Sequence, residues 1–256
     1  MSVLNDVLNS EILKEKLNEA VEVYYYPSID STNNQAKRLI AEGKAQRMLV
    51  VSDEQTAGRG RQGKSFYSPN KTGIYMSFVF KPSEEFESAV SCTTAASVAV
   101  CRAIESKTEL KPQIKWVNDI YLGNKKICGI LCEAINGSEA NKISEIVVGI
   151  GLNIKTAEFP DDVENASCLG VDIARADLIA EITEQLIKTV NTPYSSFIEY
   201  YRAHSLIIGR DICFIQNGVS TNAKALQIEN DGGLTVLLEN GETKTLRSGE
   251  ISIRRI

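Results

Sequence analysis

The sequence predicts an α+β protein: a mixed or antiparallel sheet with helices packed against it, followed by a small antiparallel barrel. Three observations predict this. Between residues 113 and 154 apolar, strand-like runs follow one another with Gly123-Asn124 and Asn136-Gly137 as turns, and strands joined by tight hairpins pair antiparallel rather than in a doubly wound parallel sheet. Residues 89–104 and 176–190 carry helical patterns long enough to cover such a sheet. From residue 207 onward short alternating segments are cut at Asn217-Gly218, Asp231-Gly232-Gly233 and Asn240-Gly241, a spacing of about ten residues that suits a small barrel. The change of character places a domain boundary near Ser205, dividing the chain into residues 1–205 and 206–256.

The elements follow in order. Leu4, Val7, Leu8, Ile12, Leu13 and Leu17 fall at helical intervals and predict one or two short amphipathic helices. Residues 24–26 read as a strand ended by Pro27. Ser31-Thr32-Asn33 then opens a helix that turns Ala36, Leu39 and Ile40 inward and stops at Gly43. Residues 48–52 form a short apolar strand, and a glycine- and arginine-rich loop separates it from a strand at 74–80. Ala, Ser, Thr and Val dominate residues 89–104, which suits a closely packed core helix. Strands are expected at 113–117, 120–122, 126–135 and 143–154, then an irregular acidic stretch at 155–172. Helices at 176–190 and 194–204 are separated by the Thr192-Pro193 break.

Composition narrows the function. The chain has 256 residues, 43% hydrophobic and 24% charged, as in an ordinary globular protein. No apolar run reaches the roughly 18 residues that a membrane span requires, and the N-terminus has no signal-peptide core, so a cytoplasmic location is expected. The six cysteines are scattered without a Cys-x-x-Cys pair and read as reduced, mostly buried thiols. With His204 as the one histidine, at the end of a helical stretch, neither a zinc site nor histidine-based catalysis is expected. Net charge is −5, so the molecule as a whole does not advertise nucleic-acid binding. Yet between Glu54 and Glu84 there is no acidic residue, while Arg59, Arg61, Lys64, Lys71 and Lys81 all fall there. A local basic loop in an acidic protein suggests a small anionic ligand.

Three constellations could carry chemistry. In Gly58-Arg59-Gly60-Arg61-Gln62-Gly63-Lys64 the glycines free the backbone for positive φ and close approach. The arginines add planar forks that match phosphate or carboxylate. Alone, the loop reads equally as an anion cradle and as an exposed turn or nucleic-acid patch. Gly58 to Ser65 spells a Walker pattern, but a P-loop follows a strand immediately and opens a helix, which Asp53 to Ala57 and Tyr67-Ser68-Pro69-Asn70 both oppose. The second constellation is Lys115-Trp116-Val117-Asn118-Asp119 with Lys125-Lys126-Ile127-Cys128-Gly129-Ile130-Leu131. Spacing alone favours an ordinary hairpin with solvated lysines, and a core Trp116. The third, Val147 to Ile154, lacks the last glycine and the following helix of a dinucleotide fingerprint. Glycines within a strand mark instead a bulge or the close approach of a ligand or another backbone.

Taken together and in this order, with Ser31-Thr32-Asn33 and Gln55 before the loop and Ser248-Gly249-Glu250-Ile251-Ser252 near the end, the motifs resemble those of bacterial biotin–protein ligases over nearly the whole chain. The resemblance implies a catalytic domain related to class II aminoacyl-tRNA synthetases joined to an SH3-like barrel. It implies ATP-dependent activation of biotin to biotinyl-5′-AMP and transfer to a lysine of a biotin carboxyl carrier protein, with Mg2+ entering with ATP rather than at a dedicated protein site. It places biotin at Ser31, Thr32, Asn33, Gln55, Arg59, Gly60, Arg61, Lys126 and Gly129. It places ATP and the adenylate at Gly58, Arg59, Arg61, Trp116, Asn118, Asp119 and Asn153, with Arg59, Arg61 and Lys126 as the catalytic set. Lys64, Phe66 and Val117 stand where the family commonly has Arg, Trp and Pro, so the loop keeps a charge but loses a fork.

Family members that double as repressors have far more chain before the Ser-Thr-Asn motif than the thirty residues here, so DNA binding is not expected. The rival of the same fold, a lipoate–protein ligase, would carry an Arg-Arg motif and a Gly-Gly-Gly run, and neither occurs. A non-catalytic biotin sensor is the rival of another class. A sheet edge in the 113–135 region is available for pairing across a two-fold axis, which allows a homodimer without demanding one.

Overall fold

A computed structural model describes residues 6–44, 47–83, 86, 88–137, 142–161, 163, 165–216 and 218–253. Leu4 of the expected N-terminal helix and Asn217 of an expected turn lie outside them. The described helices are α1 (Ser10–Lys16), α2 (Thr32–Ala41), α3 (Ala89–Lys107), α4 (Arg175–Val190) and α5 (Ile198–Ala203). Strands β1 (Glu22–Tyr26), β2 (Met48–Ser52), β3 (Gly73–Phe80), β4 (Gln113–Lys115), β5 (Asp119–Leu122), β6 (Lys125–Asn136) and β7 (Ile143–Asn153) form one sheet in the order β1-β2-β3-β7-β6-β5-β4. Only β1 and β2 run parallel, as α2 carries the chain from one to the other; the remaining pairs are antiparallel. The sheet is therefore mixed.

Strand alternation divides its side chains between two faces. Leu49 and Val51 of β2, with Phe78 and Phe80 of β3, join the main core with α3 and α4. Met48 and Val50, with Val79 and Val147, turn to the opposite face and are covered by Ala36 and Leu39 of α2. Both faces being covered, β2 and β3 are buried along their whole length, which explains their unbroken apolar sequence. Ser88 caps α3 by accepting the Ser91 N–H at 3.0 Å, and Asn9 caps α1 by accepting that of Ile12 at 2.8 Å. At the start of α4 the Arg175 side chain is fully enclosed, donating to Asp6 at 2.8 Å and to Asp53 at 2.7 Å.

Two expected elements differ. The helix expected at 194–204 is a 3₁₀ turn, Tyr194–Ser196, followed by α5. Between them Phe197 leaves helical geometry to bury its ring against Phe86 and Tyr194, at centroid distances of 6.2 and 4.8 Å. The strand expected at 113–117 ends at Lys115, because the backbone turns there and Asn118 accepts the Ile130 N–H at 3.0 Å.

A second sheet is built from β8 (Asp211–Gln216), β9 (Val219–Ile228), β10 (Leu234–Leu238), β11 (Thr243–Leu246) and β12 (Glu250–Ile253), all antiparallel, in the order β11-β10-β9-β8-β12. Its β9–β10 turn docks on the first body. There Gly232, at φ +81°, has no room for a side chain: a Cβ would lie 2.5 Å from the Tyr194 hydroxyl.

Candidate active site

Residues 55–68 leave β2 and fold back on themselves, with bridges pairing Gln55 with Ser68 and Arg59 with Ser65. Two hydrogen bonds fix the fold, Gly60 N–H to the Lys64 carbonyl at 2.7 Å and Phe66 N–H to the Gly58 carbonyl at 2.9 Å. At the tip Gln62 and Gly63 both take positive φ. The arginine flap is thus a short hairpin lying over the ends of β6 and β7.

Beneath it is a small polar pocket. Ser31, Thr32 and Asn33 open α2 and are all buried. Gln55 ties this helix start to the flap: its carbonyl oxygen accepts from Thr32 N–H at 2.9 Å and Thr32 Oγ1 at 3.1 Å, and its amide donates to Ser68 at 2.9 Å. The Asn33 amide donates to Glu133 at 2.8 Å. Gly149 makes room for it, since a Cβ there would lie 2.2 Å from Asn33 Oδ1. Gly151 plays the same part for Phe66, whose ring would be 2.3 Å from an added methyl. The strand glycines therefore accommodate two side chains of the site rather than another backbone.

The cations gather beside this pocket. Arg61 reaches across the cleft to donate to Asn118 Oδ1 at 3.0 Å. Asn118 in turn donates to Asp119 at 2.9 Å, and Asp119 holds the Lys126 ammonium at 2.8 Å. Arg59 pairs with Asn34 at 3.0 Å and with Glu133 at 3.1 Å. Arg59, Arg61, Lys64, Lys115 and Lys126 line the cleft against the single lining carboxylate of Asp119, among the described residues. An acidic protein thus gathers basic side chains at one cleft, two of them, Arg59 and Lys126, held by carboxylates. The thiols of Cys92, Cys128 and Cys132 are no rival nucleophiles, because burial pushes that of Cys132 up to about 12 and raises Cys92 and Cys128 still further.

A sequence model of the Biotin/lipoate A/B protein ligase family matches residues 25–153. The chain belongs to that family. Among the relatives of this family member, the Bifunctional ligase/repressor BirA of Bacillus subtilis is 30% identical over 241 residues, 90% of this chain and 73% of the relative. The Biotin--[acetyl-CoA-carboxylase] ligase of Mycobacterium tuberculosis is 26% identical over 216 residues, 80% of this chain and 78% of that one. Among solved structures, the biotin protein ligase from Aquifex aeolicus in complex with biotin and ATP superposes with a TM-score of 0.78 at 27% identity, covering 92% of this chain and 99% of that one. The α+β fold with its mixed sheet is thereby matched over nearly its full length.

Within this ligase-family cleft, Ser31, Thr32, Asn33, Gln55, Arg59, Gly60, Arg61, Trp116, Asn118, Asp119, Lys126 and Gly129 come together as its lining. Gly58 and Asn153 do not line it. A Cβ on Gly58 would lie 2.3 Å from the Phe66 carbonyl oxygen, so this glycine serves the flap's own closure. Asn153 is covered by the following segment, donating to the Ser167 carbonyl at 3.0 Å, with its Oδ1 buried and without a hydrogen-bond partner. Trp116 is both core and lining: it is buried, and its indole N–H donates to the Gly232 carbonyl at 2.9 Å. Sequence reasoning missed Glu133 and the fully buried Ser77, whose hydroxyl lies 2.8 Å from Thr32 Oγ1 and 2.6 Å from Asn33 Oδ1. It also gave no role to Gly249 and Ile251, which bring the second sheet to the cleft wall.

Proposed function

We propose that the cleft holds biotin and ATP side by side, and that the activity is that of an ATP-dependent biotin–protein ligase. One juxtaposition carries this reading: a buried pocket of amide and hydroxyl groups, suited to a cyclic urea, opens directly onto a cluster of cations suited to a carboxylate meeting a triphosphate. Ser31, Thr32, Asn33 and Gln55 bind the head group, and Phe66 above Gly129 and Gly151 borders the path of the acyl chain. Arg59, Arg61 and Lys126 hold the carboxylate and phosphates, with Gly58 and Gly60 letting the flap fold over them. Trp116, Asn118 and Asp119 form the nucleotide side.

Chemistry proceeds in two displacements. A biotin carboxylate oxygen attacks the α-phosphorus of ATP, the bond to the β,γ-pyrophosphate breaks, and biotinyl-5′-AMP forms. The amine of a carrier-protein lysine then attacks the acyl carbon, and AMP leaves. Both nucleophiles come from substrates, so this chain's residues align reactants and stabilise charge. Arg59, Arg61 and Lys126 each contribute about 2–4 kcal/mol to that stabilisation, by the measure of lost oxyanion donors. Asp119 is engaged by Lys126, and magnesium arrives with the nucleotide. The flap shields the mixed anhydride from water. The first sheet with its helices constitutes a class II synthetase-like domain of residues 1–205, and residues 206–256 an SH3-like barrel. The acceptor is the biotin carboxyl carrier protein of a carboxylase in the cytoplasm; the outer edge of β4 does not serve for pairing across a two-fold axis, because Ile114 there exchanges backbone hydrogen bonds with His204 and Leu206.

The test is transfer of labelled biotin to a carrier domain. Label on the carrier that requires ATP and magnesium is the expected result. Absence of transfer, or transfer of lipoate alone, would overturn the reading.

A further inference from the structure

Arg59 has a carboxylate partner within the protein itself. Its guanidinium lies 3.1 and 3.3 Å from the two oxygens of Glu133 and 3.0 Å from Asn34 Oδ1. Glu133 is itself held firmly. It rises from the middle of β6, opposite Val147 of β7, accepts from Lys37 of α2 at 2.6 Å and from Asn33 at 2.8 Å, and is largely withdrawn from solvent. Burial alone would raise its carboxyl, but the hydrogen bonds from Lys37 and Asn33 and the charges of Lys37 and Arg59 outweigh it, and it stays an anion.

A carboxylate so placed has the same chemistry as the group Arg59 is meant to bind. Arg59 therefore has two alternative anions, one belonging to the protein and one to the substrate. We propose that Glu133 is a positioning residue, a resident counter-anion that parks Arg59 and the flap against α2 until a substrate carboxylate or phosphate takes its place. This rests on the reading that Arg59 binds the substrate anion. Each exchange then swaps one anion for another, so the arginine is never desolvated without a partner, which would be costly. Because Glu133 stabilises the parked state, it lowers the apparent affinity for anionic ligands, as any interaction confined to the unbound state must. Asn33 links the same carboxylate to the head-group pocket, so both ends of the substrate are sensed at one side chain.

The experiment compares biotin, an anion, with biotinamide, its neutral counterpart, by titration calorimetry. The ratio of their dissociation constants isolates the anion contribution and cancels any damage to the head-group pocket. In Glu133→Gln the ratio of biotinamide to biotin is expected to rise roughly three- to tenfold, the scale of a partly exposed ion pair. Hydrogen exchange of amides 58–65 in the empty protein should quicken in the same variant. In an Arg59→Gln background the substitution should leave the ratio unchanged, since the two effects pass through one contact. If Arg59→Gln by itself left the ratio at the parent value, Arg59 would not hold the substrate anion and the site reading would fail. If Arg59→Gln lowered the ratio but Glu133→Gln did not raise it, or raised it equally without Arg59, the counter-anion would be the wrong idea. A variant that weakened biotin and biotinamide alike would reduce Glu133 to a support for Asn33.

Discussion

The Ser77 hydroxyl has one proton and two oxygens within reach, Thr32 Oγ1 and Asn33 Oδ1. Whichever it serves, it sits behind both Thr32 and Asn33 in a place fully closed to water. Ser77→Ala should cost about 1–1.5 kcal/mol of folding stability, the worth of a buried hydrogen bond, and weaken biotin binding as well by loosening Thr32 and Asn33; a thermal scan and calorimetry together check this. Glu133 makes a second prediction. Its folded pKa lies below the ordinary value, so the stability it contributes is fully present above about pH 4.3 and is lost as pH falls through the depressed folded value. Between about pH 5 and pH 3 the parent should therefore lose more melting temperature than Glu133→Gln does. Nothing in the sequence marks either residue. Ser77 is one polar letter in an apolar strand, and Glu133 meets partners 96 and 100 positions away. Arg59, Arg61 and Lys126 were legible because charges beside glycines stand out in a linear reading, whereas a buried network depends on strand pairing that the sequence does not state.

At the scale of the element, the flap separates two uses of glycine. Gly63 has positive φ and open space around its Cα, while Gly58 is crowded by the returning strand. Gly63→Ala should cost about 1 kcal/mol of local conformational energy and leave ligation nearly intact. Gly58→Ala must push the Phe66 carbonyl aside, and it should open the flap and release free biotinyl-adenylate, which chromatography of single-turnover mixtures would detect. Comparable release from both variants would mean that crowding is irrelevant to closure. The glycines were visible in the sequence, but not which of them needs space and which needs φ. The same limit affected the 194–204 region, where helical periodicity was plain and the break at Phe197 came from a pocket built by Phe86 and Tyr194.

For the whole molecule, Arg175 binds three separate pieces of chain. It joins the segment before α1 through Asp6, the end of β2 through Asp53 and the start of α4. Arg175→Met would strand two carboxylates beside an apolar side chain, and urea unfolding should show a loss of about 3–5 kcal/mol; a loss under 1 kcal/mol would mean the network merely breaks even. The strand order was likewise beyond a linear reading. Hairpin turns disclosed the neighbours β5, β6 and β7, but β3 beside β7 joins segments some seventy residues apart in sequence, with α3 between them. What hairpins and turn spacing did reveal was a mixed sheet followed by a second, antiparallel one.

The chain contains one tryptophan, and its indole lines the cleft while hydrogen-bonded to the β9–β10 turn. That makes the protein its own optical gauge. Because Trp116 is only 3% exposed, separation of the second sheet would wet the ring and shift its emission to the red without unfolding the first. Gly232→Val, which forces a branched side chain against Tyr194, Val90 and Thr94, should produce that shift while far-ultraviolet dichroism stays constant. Unlabelled protein in a cuvette can thus show whether its two sheets are seated together, and whether a ligand has entered between them.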